Sequence, residues 1–350
     1  MVVPPGRNQS RIIARLFCVA PATGKIVMDT AETARLDGRR LLSLAASHGL
    51  TEVLYATLAG LSCLKVIDEP DRERLRLENS EALRRHQSRT EQIVQLHRVL
   101  RAQEIPYVLL KEHAFDTCMP AAHCIRQSDF DILVRPSDLA AAERLLVSLG
   151  YARVVRPWPG EYRFRCAGRL SVDLHTSLGA HHGRHENFLD DGEAFARTRL
   201  IELASESVPV LHPEDAALFL VLHTALHHNF TPFRTVVNCW NYIAGRDREL
   251  SDSRPSARAR NILWLTLAYM AEITGYSLEW QRRLVPPSFL TRRLFQILLP
   301  NAGDYFDQDV ERKLRQTCRT GWHLCLYPEA WSEKFLCLAR TVGVRRAAWL

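Results

Sequence analysis

The chain has 350 residues, enough for two ordinary domains, and its 47% hydrophobic and 24% charged residues exclude a disordered or fibrous protein. Its formal net charge of +7, supplied almost entirely by arginine, suits an anionic substrate, a nucleotide or RNA, without any basic run resembling a nucleic-acid-binding tail. Nine scattered cysteines without a CxxC pair, and the lack of a signal-like or ~20-residue apolar segment, lead us to expect a cytoplasmic protein without disulfides or a membrane partner.

The N-terminal region, residues 1–103, is predicted to be helical. Residues 1–30 are expected to be irregular because prolines and glycines interrupt their pattern. From Thr30 to Leu64 apolar residues recur at helical spacing and indicate two helices, broken near Gly49. Residues 69–103 carry an apolar stripe through a charged sequence, which predicts one or two amphipathic helices.

The central region, residues 104–212, contains short β-type segments between turn signals. A short helix is expected to follow Lys111, a second helix ends near Leu149, and a helical piece covers 188–197. The turn Ala167-Gly168 predicts a hairpin between the strands on either side of it. Strands are predicted at 105–110, 129–134, 151–155, 162–166, 170–174, 199–203 and 208–211.

The C-terminal region, residues 213–350, is again predicted to be helical. Pro213 suits a first helical position, and the acidic residues after it favour a helix N-terminus, so a helix is expected to run to about His228. A further helix is expected near 232–244, followed by a polar linker at 245–258 and more helices beyond it.

Two carboxylates lie two residues apart at the start of one predicted strand. Since side chains alternate along a strand, Asp129 and Asp131 project from the same face, while Phe130 and Ile132 face a core. Adjacent carboxylates repel each other unless a cation or a proton lies between them, and Mg²⁺ prefers oxygen ligands. The pair therefore predicts a metal site. A strand end with two solvated aspartates is the simpler alternative.

Five separated sequence motifs, one of which contains the aspartate pair, extend this observation beyond one strand. Together they resemble an uncharacterised nucleotidyltransferase family found in bacterial peptide-natural-product gene clusters, and more distantly the nucleotidyltransferase toxins. The motifs are Ile105-Pro-Tyr-Val-Leu-Leu-Lys111, Arg126-x-x-Asp129-x-Asp131-Ile-Leu-Val134, the helix ending in Gly150-Tyr151, Ser171-Val-Asp173-Leu-His175 and His212-Pro-Glu-Asp through His223.

This resemblance implies an α+β fold: a polymerase-β-like nucleotidyltransferase core with a small mixed sheet, flanked by N- and C-terminal helical regions. It also implies that Asp129, Asp131 and Asp173 are catalytic and hold two Mg²⁺ or Mn²⁺ ions, which promote in-line displacement at a nucleoside triphosphate. Alternation with Val172 and Leu174 independently directs Asp173 away from the core. ATP is the expected donor, and the acceptor stays open among a peptide, a small molecule and an RNA end.

The predicted substrate-binding residues are Lys111, Glu112, Arg126, Ser128 and His175. Lys111 and Arg126 suit phosphate groups, although a surface lysine and a salt bridge from Arg126 to the aspartate pair are the alternatives. Glu112 stands where the resembled family has a glycine that lets backbone amides approach the triphosphate. A carboxylate there repels phosphate, so we expect Glu112 to weaken nucleotide binding.

Two groups of histidines are further candidates. His175 and three histidines of the loop at 179–187 could bind a transition metal, although loop spacing fixes no geometry. His223, His227 and His228 share one predicted helix, but Thr224 replaces the glutamate of a zinc-protease motif, which favours core or cleft histidines.

Three functions remain open at this point. The first is metal-dependent transfer of a nucleoside monophosphate with release of pyrophosphate. The second is a catalytically degenerate fold that binds a peptide, a nucleotide or a partner protein. The third is an acid/base pair of carboxylates that acts without a nucleotide.

Overall fold

A computed structural model describes residues 5–21, 23–111, 127, 129–154, 161–178, 180–181, 184–185, 191–250, 257–299 and 305–306. Three of the predicted site residues, Glu112, Arg126 and Ser128, lie outside the described residues, as does nearly all of the helix expected after Lys111. The side chains of the histidines in the 179–187 loop are likewise outside them.

The N-terminal region is helical, and it begins earlier than predicted. Its helices are α1 (Pro5–Phe17), α2 (Thr30–Thr33), α3 (Gly38–His48), α4 (Thr51–Gly60) and α5 (Glu69–Ala102). The expectation that residues 1–30 are irregular is therefore wrong. Pro5 begins α1, where a missing amide hydrogen costs no helical hydrogen bond, and Leu16 and Phe17 at its end are fully buried.

The two helices predicted between Thr30 and Leu64 are confirmed as α3 and α4. Gly49 ends α3 with a left-handed φ of 66°, a conformation that glycine adopts without steric cost. The segment predicted as one or two helices at 69–103 forms one helix, α5, of 34 residues that ends at Ala102. The Asp68 carboxylate accepts a hydrogen bond from the amide of Asp71 and so caps its N-terminus.

In the described part of the chain, seven strands form one mixed sheet. They are β1 (Tyr107–Leu109), β2 (Asp129–Val134), β3 (Ala152–Val154), β4 (Glu161–Arg165), β5 (Ser171–His175), β8 (Arg199–Leu203) and β9 (Glu206–Val210), and a separate small sheet pairs β6 (Ala180–His181) with β7 (Arg184–His185). The order in the large sheet is β3-β4-β5-β2-β1-β9-β8. The central strands β2 and β5 are parallel, as are β1 and β9, and the other neighbours are antiparallel. The α+β fold with a mixed sheet is thus confirmed.

The core lies against the apolar face of the central strands. Phe130, Ile132 and Val134 alternate with the aspartates of β2 and are almost completely buried, as alternation predicted. On the neighbouring strand β5, Val172 and Leu174 are fully buried in the same way. Burial of these side chains fixes which face of each strand turns away from the core, and therefore where the acidic residues project.

The other helices of the described chain lie among the strands and after them. They are α6 (Leu139–Ser148), α7 (Asp191–Ala196), α8 (Pro213–Leu222), α9 (Phe233–Ala244), α10 (Ala257–Thr274), α11 (Glu279–Arg283) and α12 (Phe289–Leu298). The helix predicted to reach His228 departs from α geometry, because a π turn follows α8 at His223–His227. Over the described ranges, none of the helices has both the length and the apolar character needed to cross a membrane.

Candidate active site

Three carboxylates meet on one face of the sheet, at the pairing between β2 and β5. The parallel register places Asp131 directly beside Asp173, and Asp129 projects from the same face two residues earlier in β2. Asp131 and Asp173 are only 3% and 2% exposed, so water screens their mutual repulsion poorly. Such a cluster requires positive charge close to it.

Lys111 and Arg163 supply that charge. Lys111 lies just beyond β1, and its Nζ is 2.5 Å from Oδ2 of Asp131 and 3.4 Å from Oδ1 of Asp129. Arg163, on β4 opposite Asp173 in the register, donates from both Nε and Nη2 to the two oxygens of Asp173. The same Nη2 is 3.3 Å from Oδ2 of Asp129. Each carboxylate therefore has a basic partner on the protein.

His175 completes the charged cluster from the end of β5. Its Nε2 lies 3.0 Å from Oδ1 of Asp131. Burial alone would raise the pKa of the Asp131 carboxyl, but the charge of Lys111 and the hydrogen bond with His175 outweigh it and lower this pKa. Burial alone would lower the pKa of His175, but its hydrogen bond with Asp131 raises that pKa above the usual value. These opposite shifts of the two pKa values favour the carboxylate form of Asp131 and the imidazolium form of His175.

The side chains of this face suit a hard cation. Carboxylate oxygens are the ligands that Mg²⁺ and Mn²⁺ prefer, and three of them converge here. Oδ2 of Asp131 is buried and close to Lys111, yet among the described residues it has no hydrogen-bond donor in good geometry. This oxygen can exchange its lysine partner for a metal ion. The residues present therefore fit the predicted metal.

The structure brings together five of the predicted site residues: Asp129, Asp131, Asp173, Lys111 and His175. The sequence analysis missed Arg163. Its position was visible in part, because the alternation of Tyr162-Arg163-Phe164 places Arg163 on the face opposite the buried Phe164. What the sequence did not reveal was which residue of β5 lies opposite Arg163.

A second group of polar side chains lies near this face. The imidazole rings of His223, His227 and His228 have centroids 4.5–4.8 Å apart. Burial, with the neighbouring His227 and the charge of Lys111, lowers the pKa of His228 to about 3. The charges of Lys111 and Asp131 both act on His228, so the histidine group and the carboxylates lie within electrostatic reach of each other.

Comparison with known families and with curated proteins bears on what this chain is. No curated protein matches the chain significantly. The model of a family described as an uncharacterised nucleotidyltransferase matches residues 35–275, well over half of the chain, and this span contains every described strand and the three carboxylates. This match supports a transferase that acts on a nucleotide, and we conclude that the chain belongs to this nucleotidyltransferase family.

Proposed function

We propose that this protein transfers a nucleoside monophosphate from a nucleoside triphosphate to an acceptor and releases pyrophosphate, with Mg²⁺ or Mn²⁺ as cofactor. The observation that carries the proposal is the convergence of Asp129, Asp131 and Asp173 from two parallel strands onto one face. When bound there, the metal would supply the positive charge that activates an attacking oxygen and stabilises the leaving pyrophosphate.

In this proposal the carboxylates have different tasks. Asp129 and Asp131 would hold the metal ions, because they project from the same face of one strand and both contact the ammonium group of Lys111. Asp173 would complete the metal site on the acceptor side and receive the proton of the acceptor. The hydrogen-bond donor to Asp173 in the described part of the chain is Arg163 of β4, which lies on the side of the cluster away from Lys111.

Lys111 and Arg163 bind phosphate in the same proposal. Both cations retain some solvent exposure, at 15% and 16% of their side chains, so a ligand can reach them. A triphosphate offers oxygens that accept hydrogen bonds from both groups. We propose ATP as the donor and a peptide, a small molecule or an RNA end as the acceptor, in keeping with the natural-product gene clusters of the resembled family.

One observation favours a second function, a non-catalytic module that binds a nucleotide, a peptide or a partner protein. Every carboxylate of the cluster already has a protein cation or imidazole beside it. A protein that never binds metal would need such compensation to keep three acids, two of them buried, on one face. The two functions differ in turnover, and this difference can be measured.

The test is transfer of label from each α-labelled nucleoside triphosphate in the presence of Mg²⁺ or Mn²⁺, with peptides, small hydroxyl compounds and RNA as acceptors. Pyrophosphate release is followed in parallel, since it reports turnover onto any acceptor. The proposal expects Asp173→Asn to retain nucleotide binding but to lose turnover by orders of magnitude. Asp131→Asn should lose both.

A matched control is Asp138→Asn, which makes the same chemical change outside the cluster, at the start of α6. It should leave transfer and binding as in the wild type. Metal-dependent nucleotide binding without pyrophosphate release in any mixture would favour the non-catalytic module. Transfer by Asp131→Asn at the wild-type rate would refute the assigned site.

A further inference from the structure

Three histidines outside the carboxylate cluster form a compact group with ligand-like spacing. The potential ligand nitrogens of His223, His227 and His228 all lie within 4.8 Å of one another. The rings of His223 and His227 are stacked at an interplanar angle of 7°, and His228 lies nearly perpendicular to both. Three nitrogens on a tetrahedral Zn²⁺ are about 3.3 Å apart, given metal–nitrogen distances of about 2.0–2.1 Å. Binding one ion would therefore bring these nitrogens closer together and rotate the parallel rings of His223 and His227 until both nitrogen lone pairs point to a common position.

The π turn at the end of α8 creates this group. In an α-helix, residues five apart point about 140° away from each other, so His228 would face away from His223. Here the amide of His228 donates to the carbonyl of His223 at 3.0 Å, a five-residue repeat that brings the two side chains to the same side. His227 lies on that side as well. The backbone departs from α geometry at the position where three imidazoles are gathered.

The surroundings hold part of the group in place and leave part accessible. Phe219, one turn earlier on α8, stacks on His223 with centroids 5.6 Å apart. His227 is exposed, while His223 and His228 are partly buried. A ligand can therefore enter from the side of His227. The transfer reaction proposed for the carboxylate cluster does not use these three histidines.

We propose that His223, His227 and His228 form a binding site for a transition-metal ion of the Zn²⁺ class, separate from the Mg²⁺ or Mn²⁺ site of the carboxylates. Imidazole nitrogen suits Zn²⁺, Co²⁺, Ni²⁺ and Cu²⁺, whereas Mg²⁺ prefers oxygen. Three histidines leave a fourth coordination position for water or an anionic ligand. The two sites would therefore bind different metal ions, although they lie near each other.

Titration of the metal-free, full-length protein with Co²⁺ tests this proposal, because tetrahedral Co²⁺ has strong visible absorption bands. We expect about one equivalent to bind, to be displaced by Zn²⁺ and to resist a large excess of Mg²⁺. A chromophoric chelator gives the Zn²⁺ affinity, which we expect to be tighter than about 1 µM. His227→Ala is the main variant, because an exposed side chain can be removed with little effect on folding.

His227→Ala and His228→Ala should each weaken Zn²⁺ binding by more than the roughly 10–100-fold caused by removing a residue that only hydrogen-bonds to a ligand. The control His86→Gln, on α5 outside the group, and Asp131→Asn should both bind Zn²⁺ like the wild type. Asp131→Asn also separates this proposal from the transferase, since it removes only the proposed catalytic metal site. Wild-type binding weaker than about 100 µM, or equal affinity of His227→Ala and wild type, would overturn the proposal.

Discussion

Replacing Arg163 by glutamine should destabilise the metal-free protein and make it more responsive to Mg²⁺. Arg163 is the principal cation of Asp173, to which it donates two hydrogen bonds, and it also contacts Asp129. Asp173 is 2% exposed, so after the substitution its charge would remain buried without the ion pair that Arg163 forms with it. A glutamine amide can donate one hydrogen bond but cannot replace the charge.

The size of the loss follows from this burial. Removing one partner of a buried ion pair costs about 3–5 kcal/mol of unfolding free energy. The Arg163 side chain retains 16% exposure, which places the expected loss near the lower end, at about 3 kcal/mol. Mg²⁺ should offset part of it, because a ligand at about ten times its dissociation constant adds about 1.4 kcal/mol.

Urea unfolding, followed by tryptophan fluorescence with and without Mg²⁺, measures both quantities. In the wild type Mg²⁺ must displace Arg163 from the carboxylates, so we expect Mg²⁺ to stabilise it less than it stabilises Arg163→Gln. The matched control is Arg165→Gln, because Arg165 is exposed on the same strand and face and carries the same charge. Its effect should remain within about 0.5 kcal/mol. A loss below about 1 kcal/mol in Arg163→Gln, or equal stabilisation of both proteins by Mg²⁺, would refute the reasoning.

Three further predictions concern the scaffold. Burial lowers the pKa of His97, so the unfolded chain takes up this proton more readily, and stability should fall as the pH drops below about 6.5; in His97→Gln, chemical denaturation across pH should show a shallower fall. Asn241 joins α9 to the end of α1 through buried hydrogen bonds with Val19 and Phe17, so Asn241→Leu should lose about 2–5 kcal/mol in urea unfolding, and a loss under 1 kcal/mol would contradict this. Asp247 accepts hydrogen bonds from two amides at the start of α11, so Asp247→Ala should cost about 1–2 kcal/mol of stability and lower the melting temperature. An unchanged melting temperature would show that this cap is dispensable.

The alternation of side chains made much of the site predictable from the sequence. It placed Asp129 and Asp131 on one face of β2, and it directed Asp173 away from the core of β5. Alternation describes one strand at a time, however, and does not say which strands are neighbours. The parallel pairing that sets Asp131 beside Asp173 depends on the whole sheet, and here the family resemblance supplied what local patterns lacked.

The length of the loop between β4 and β5 explains why the contact between Arg163 and Asp173 was not predicted. A two-residue turn at Ala167-Gly168 would set Arg163 opposite Val172, whose side chain faces the core. The observed register sets it opposite Asp173, one residue further along β5. Since a shift of one residue moves every side chain to the other face, this contact could not be predicted without the loop length. The π turn after α8 was missed for a similar reason, because a helical periodicity search assumes the α repeat.

The charges on the sheet face need an explanation besides stability, and the proposed transfer supplies one. Three carboxylates face Lys111, Arg163 and His175, so the metal-free cluster can reach neutrality with its own side chains. Buried ion pairs rarely stabilise a fold more than apolar side chains of the same volume would. Stability therefore does not explain why three acids occupy the centre of this sheet. The proposed transfer offers a reason, because metal and triphosphate would exchange partners within the cluster. The carboxylates would bind the metal and the basic side chains would bind phosphate, so every charge would stay paired.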